Sequence, residues 1–405
     1  MTTKNNIPAG YKDSAVGIIP QEWEVSTLGK LVSITSGESP SMFNLRDIGK
    51  YPYIKVEDMN NCEKYQANSR EYTDDERVVI AKGSIIFPKR GAAITNNKVR
   101  IAACPVYMDS NMMAITPNDL VCGDYLYFKI TYEQLFKIAD TSTIPQINNK
   151  HIIPYKICLP PMEEQRKIAE ILGVWDEAIE KQSRLIEKLE LRKRALMQRL
   201  LTGRIRLPGF TTPWQKVKLG EIGRFISGCV FNENEQGGKV GVPFFKVSDM
   251  NLCGNEVRMT KSNNYVTQEQ IERLNYIVVK DEAIIFAKVG AAIALERKRY
   301  AKDFIIDNNM LAYVPDTNIW YMKYWFDSIK LSKYIQVGAL PSYNASDLAI
   351  IKLNLPSLSE QKAIAEVLTM ADNEIATHRK KLEALRLQKR GLMQQLLTGK
   401  TRVKI

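Results

Sequence analysis

The sequence has 405 residues, 45% of them hydrophobic, enough for two or three domains that each bury a core. Lys and Arg number 57 against 45 Asp and Glu, and the resulting charge of +12 points to an anionic partner, either nucleic acid or an acidic membrane surface. Six Cys without a CxxC pair and two His exclude a disulfide scaffold and leave no ligand set for structural zinc. The opening MTTKNNIPAG lacks the apolar stretch of a signal peptide, and no run of 18 apolar residues occurs, so a cytoplasmic location and no membrane partner are expected.

In chain order, strand-like runs fall at 30–35, 53–56, 84–87, 100–103 and 114–116, followed by an aromatic-rich helix over 124–138. Polar and basic residues cluster between these runs: Ser36, Lys55, Lys89, Arg90, Asn96, Asn97, Lys98, Arg100, Thr143 and Gln146. A helix is expected over 163–201. Strand-like runs return at 224–226, 244–247, 283–287 and 311–314, with a helix over 318–335, and a second long helix follows. The same residue types recur between them: Ser227, Lys246, Lys288, Arg297, Lys298, Ser342, Tyr343 and Asn344. Lys, Arg, Asn and Gln on loops are the side chains that bond phosphates and base edges, so both sets are candidate DNA contacts. The fold class expected is α+β.

The second half repeats the first. A shift of 191 places Trp23 on Trp214, Leu28-Gly29 on Leu219-Gly220 and Cys62 on Cys253. The shift becomes 199 at Ile85/Ile284 and 196 from Pro145/Pro341 onward. Over 163–203 against 359–399, 20 of 41 positions are identical without a gap. Each unit therefore has a uniform helical part and a variable part, as a common scaffold carrying two different reading surfaces would. The boundaries read as 1–158, 159–206, 207–354 and 355–405.

Apolar residues of the first helix recur at Ile168, Ile171, Leu172, Trp175, Ile179, Leu185, Ile186, Leu189, Leu196 and Leu200. Pro160-Pro161 and the capping box from Ser357 mark the two starts, and Gly203 and Gly399 mark the two stops. Each helix is about 58 Å long at 1.5 Å per residue. Such a stripe needs a partner, and the order globule, helix, globule, helix makes its own copy available only in antiparallel sense. The expected result is two globules held apart by a helical rod. Gln182 and His378 occupy equivalent polar positions in the stripe, where register setting is the expected role. Six Lys/Arg and no acid lie in 191–206, and the same holds in 385–404. Arg192, Arg194, Arg386 and Arg390 are candidate partner contacts, with Gln165 and Gln361 near the helix starts.

Motifs for chemistry are missing. Gly399-Lys400-Thr401 has Gln394 where a phosphate-binding loop needs its first Gly. No base-holding Asn-Pro-Pro-Tyr tetrapeptide and no nuclease-type carboxylate spacing with Lys occur. The expectation is a non-enzymatic binding protein with no catalytic residue, no metal site and no cofactor. A protein scaffold with two interaction heads and a nuclease with unrecognised motifs are the alternatives.

Leu159-Pro-Pro-Met-Glu-Glu-Gln-Arg-Lys-Ile-Ala169 and Leu355-Pro-Ser-Leu-Ser-Glu-Gln-Lys-Ala-Ile-Ala365 resemble the spacer-helix entries of specificity subunits of Type I restriction–modification systems. Tyr11-Lys-Asp-Ser14 and Ile19-Pro-Gln-Glu-Trp23 are similar to that family's opening, and Pro208-Gly-Phe-Thr211 with Trp214 to its second half. Ser357 departs from the usual second Pro. The resemblance implies two target-recognition domains, each reading one half of an asymmetric, gapped site in double-stranded DNA. It also implies antiparallel helices that set the gap and dock two methyltransferase subunits, and a restriction/translocase subunit for cleavage. S-adenosylmethionine, ATP and Mg belong, on this resemblance, to those partners.

Overall fold

The computed structural model describes residues 7–77, 79–141, 144–335 and 341–405. The chain forms two compact units, the first from 1–183 with 380–405, the second from 184–379. The sequence places the boundaries at the helix ends. The structure places them inside the two long helices, Met162–Leu200 and Leu358–Leu397, because each unit takes half of each helix.

In the first unit the main sheet runs in the order Val32–Ser36, Met112–Pro117, Ile85–Pro88, Arg100–Ala102, Tyr65–Gln66. Its central pairs are antiparallel, with Ile115 opposite both Ile34 and Ile85. A smaller sheet joins Tyr107–Met108, Tyr51–Ile54 and Tyr72–Thr73. A third pair, Glu24–Thr27 with Lys156–Leu159, delivers the chain to the long helix. The helix Gly123–Glu133 buries Tyr125, Leu126, Phe128 and Ile130 in the core beside Trp23. It stops five residues before the expected end, because Gln134 turns left-handed at φ 61° and only a 3-10 turn, Leu135–Ile138, follows. Residues 28–31 form a helical turn, so the expected strand at 30–35 begins at Val32.

The second unit repeats this plan. Its main sheet runs Gly223–Ser227, Met310–Pro315, Ala283–Ala287, Lys298–Ala301, and Gln215–Lys218 pairs with Lys352–Leu355. The helix Ile319–Ser328 buries Tyr321, Met322 and Phe326. Extended Ile329 then ends it, short of the expected 335.

Within each unit the two helix halves run antiparallel. In the second, Lys193 pairs with Asp372 at 2.5 Å, Arg379 with Glu190 at 2.5 Å, and Arg192 with Glu374. In the first, Lys389 pairs with Asp176, and Arg402 with Glu164 at 2.7 Å. The helices also contribute directly to the globular cores. Ile168 and Leu172 join Trp23 and Leu397 in one core, and Ile364 and Leu368 join Leu200 and Tyr313 in the other. Each such buried aliphatic side chain contributes roughly 1.5–3 kcal/mol, which anchors the helices to the sheets they carry. Leu185, expected in the stripe, is instead 38% exposed. Neighbouring Ile186 takes the buried position instead.

The helix stops are as expected. Gly203 and Gly399 have φ of 70° and 72°, and Ile205 and Thr401 donate back to Arg199 and Gln395. At the second start, the Glu360 amide donates to the Ser357 hydroxyl at 3.4 Å.

Candidate nucleic-acid interface

In both units the same two loops meet beyond the main sheet. The first leaves the strand Ile85–Pro88, or Ala283–Ala287, through Lys89-Arg90-Gly91 or Lys288-Val289-Gly290. The second contains Pro145-Gln146 or Pro341-Ser342. The Gly91 amide donates to Pro145 O at 2.9 Å, and Gly290 to Pro341 O at 2.8 Å. Ile147 and Tyr343 donate back to the carbonyls of Lys89 and Lys288, and those two lysines donate to Asn111 and Asn309. The two units thus share one backbone junction, bridged at Arg90–Gln146 in one and Val289–Ser342 in the other.

Gly91 and Gly290 both take left-handed φ, 76° and 77°, and among the described residues no heavy atom lies within 4 Å of where a Cβ would sit. The glycines supply the left-handed turn, the shared hydrogen bonds fix the backbone, and the residues of the Lys89-Arg90-Gly91 and Lys288-Val289-Gly290 tips are half-buried apart from exposed Arg90. Arg90 is exposed, with no hydrogen bond or ion pair among the described residues. Burial lowers the Lys89 ammonium pKa, and the neighbouring Arg90 charge lowers it further. The Asp109 carboxylate offsets this only in part, and the net lowering of the Lys89 pKa beside exposed Arg90 marks a tip that favours an incoming anion.

Other expected contacts are placed as follows. Ser36 and Ser227 are exposed at matching strand ends. Asn96 is exposed, whereas Asn97 is left-handed and donates to Thr131 O at 2.9 Å. Lys98 reaches Asn60 at 2.6 Å, and Arg297 reaches Asn251 at 2.5 Å. Lys55 pairs with Glu71, and Lys246 donates to Gln236 at 3.1 Å. Gln146 donates to Asn148 at 3.0 Å, and Asn344 heads the short helix Ala345–Ala349 from an exposed position. Thr143 lies outside the described residues.

Several expectations are corrected. Lys298 is 2% exposed, with its ammonium on Glu296 and on Ile329 O at 3.0 Å, so it braces the core. Tyr343, also 2% exposed, donates its hydroxyl to Ala287 O at 2.5 Å. Arg100 spends its guanidinium on the carbonyls of Cys62, Val99 and Met59. Gln165 and Gln361 are buried and cannot meet a partner. Each donates to the carbonyl five residues before it, Pro160 or Pro356, at 2.9 Å, and accepts from the backbone that leads into the unit's aromatic helix. Arg192 is held by Glu374, whereas Arg194 is exposed without such a partner among the described residues. Arg386 and Arg390 are exposed, and Arg386 reaches Glu383 at 3.0 Å.

Val289 stands where Arg90 stands in the other unit, as the shift of 199 pairs them, and its apolar side chain is not singled out by loop polarity. Glu164 and Glu360 are fully buried acids that accept Trp23 and Trp214, and charge alone does not mark them as interior. Their identity between the two copies was the available signal. In the second unit, Arg258 stacks 4.5 Å over Trp320 beside a groove of about 830 Å³. Trp320 replaces Asp124, which in the first unit pairs with Lys64 at 2.8 Å.

Among the described residues, no group of three or more His, Cys, Asp or Glu is placed to hold a metal ion, and no helix is long and apolar enough to cross a membrane.

The chain is 26% identical over 439 residues to the Type I restriction enzyme MjaVIII specificity subunit of Methanocaldococcus jannaschii, covering 95% of this chain and 94% of that one. Its fold matches the S subunit of a Type I restriction–modification system from M. genitalium, with a TM-score of 0.55 at 17% identity and 98% of each chain covered. A chain from a structure of type I R-M system assembly matches with a TM-score of 0.63 at 16% identity, over 95% of this chain and 99% of that one. Residues 20–191 and 211–387 each match the Type I restriction modification DNA specificity domain, and with both halves matched the chain belongs to that family, as a specificity subunit.

Proposed function

We propose that each unit reads one half of a split, asymmetric DNA site, and that the paired helices fix the gap between the halves. The observation that carries this reading is the shared junction with unlike tips. One backbone frame supports Arg90 and Gln146 in one unit and Val289 and Ser342 in the other. Equal frames favour equal approach to the duplex, and unequal tips favour unequal bases. Lys89 and Lys288, present in both, are suited to the sequence-independent phosphate contact.

The chemistry belongs to partner subunits. Methyltransferase subunits bring S-adenosylmethionine, and a restriction/translocase subunit brings ATP and Mg. Two methyltransferase copies need two equivalent docking faces, and the helices carry exposed apolar residues in pairs. Val174 and Met370 are equivalent at 61% and 70% exposure, and Leu191 and Leu387 at 61% and 66%. Exposed Arg194 and Arg390 are equivalent as well.

Mapping methylated adenines across the host genome tests the reading. The expected motif is bipartite and asymmetric, with one fixed gap. Removing four residues from each helix withdraws about 6 Å of rise. The half-sites should then stay intact while the gap changes or binding is lost. Altered half-sites at constant gap would contradict the proposal.

A further inference from the structure

Resting on the reading that the units recognise DNA, we infer that Arg90 and Val289 are the equivalent base-reading positions, so that the first unit takes a guanine where the second takes a thymine.

The two junctions share a frame. Lys89 and Lys288 have the same backbone bonds, and each is followed by one residue and then a left-handed glycine. A contact independent of sequence can be the same in both copies, and the lysine is the same. A contact that selects a base must differ when the half-sites differ, and the next residue differs in kind.

Arg90 is exposed and unpaired among the described residues, beside a lysine whose charge it repels. An arginine presented on a fixed backbone matches the O6 and N7 acceptors of guanine with two parallel hydrogen bonds. Val289 has no donor or acceptor in its side chain. Its branched methyls can recognise only an apolar feature of the major groove, and the thymine methyl is that feature. The backbone pairing with Gln146 or Ser342 orients the tip, which makes these two positioning residues.

The test selects bound duplexes from a random-sequence library, using the chain assembled with its methyltransferase subunits. For Arg90→Ala, the expected result is a loss of guanine preference at one base pair of one half-site, by roughly tenfold or more. The other half-site and the gap stay unchanged. Val289→Arg should replace thymine with guanine at one position of the other half. Lys89→Ala should weaken binding to all sequences alike. Because Arg90 makes no described bond, its removal leaves folding intact, which a thermal melt confirms. If Arg90→Ala and Val289→Arg both select the native motif, the inference is overturned while DNA recognition stands. If the native assembly enriches no motif, the DNA reading itself fails and the inference with it.

Discussion

Glu164 accepts both Nε and Nη2 of Arg402, at 2.7 and 2.9 Å. The carboxylate is fully buried, and Trp23 Nε1 donates to it at 2.9 Å. The second unit repeats the triad with Glu360, Arg206 and Trp214. The last turn of the chain thus closes the first unit as the segment after the first helix closes the second. Arg402→Ala leaves a buried carboxylate with Trp23 as its remaining side-chain donor. Broken buried pairs cost about 3–5 kcal/mol. Arg402 is one-third exposed, so the loss should lie toward the lower end. Urea unfolding should show a clear drop in midpoint, and Arg206→Ala should act similarly on the second unit.

Asp176 and Asp372 are equivalent, and so are their lysines, but the second unit adds two hydroxyls nearby, those of Tyr324 and Thr369, which bond each other at 3.1 Å. Asp372 accepts the Tyr324 hydroxyl at 2.8 Å, whereas the equivalent residue in the first unit is Phe128. Among the described residues, Asp176 Oδ2 is consequently buried without a hydrogen-bond partner. Phe128→Tyr should supply that donor and raise stability by about 1 kcal/mol. Tyr324→Phe should lower it by about 1 kcal/mol, the net worth of one hydrogen bond, since Asp372 is a third exposed and water can take the place of the hydroxyl. Thermal melts of the two variants should move in opposite directions.

Gly399 and Gly203 share a left-handed backbone but not a neighbourhood. A Cβ on Gly399 would lie 2.4 Å from Pro20 and 3.2 Å from Trp23, whereas on Gly203 it would meet Trp214 at an ordinary 3.4 Å. Both alanine variants bear about 1–2 kcal/mol of backbone strain. Gly399→Ala should cost more, because the clash prises the helix end from the first unit. Protease digestion should release the C-terminal segment of that variant earlier than that of Gly203→Ala.

Much of this architecture was legible in the residues. The repeat, the helix bounds near 162 and 200, and the stops at Gly203 and Gly399 follow from periodicity and glycine placement, which are local signals. The ends of the aromatic helices were not legible, because Gln134 turns left-handed in a sequence that continues to look helical. Side-chain destiny was harder still. Lys298 and Tyr343 carry the chemistry of surface contacts, yet Glu296 and Ala287 O satisfy them inside. Gln165 and Gln361 look like helix-face polar residues but bind backbone across the fold. The shared loop junction joins segments more than fifty residues apart, and no spacing rule reveals such a bridge.

Glu296 supplies a pH signature. Burial pushes its carboxyl pKa up, but bonds from Lys298 and Ser332 outweigh this and bring it down to about 2. Its ordinary value is 4.5, so its stabilising contribution is present above pH 4.5 and lost as pH falls toward 2. Glu296→Gln should be less stable at neutral pH. Its stability should also change less with pH between about 4.5 and 2 than that of the native protein. Chemical unfolding at stepped pH gives the comparison.

The central claim is that recognition is divided between the units, one half-site each. Exchanging residues 213–355 for the matching segment of a relative, then mapping methylated adenines made by the assembled complex, tests it most directly. The account predicts a motif in which one half-site changes while the other half-site is retained. A motif altered in both halves, or in neither, would contradict it.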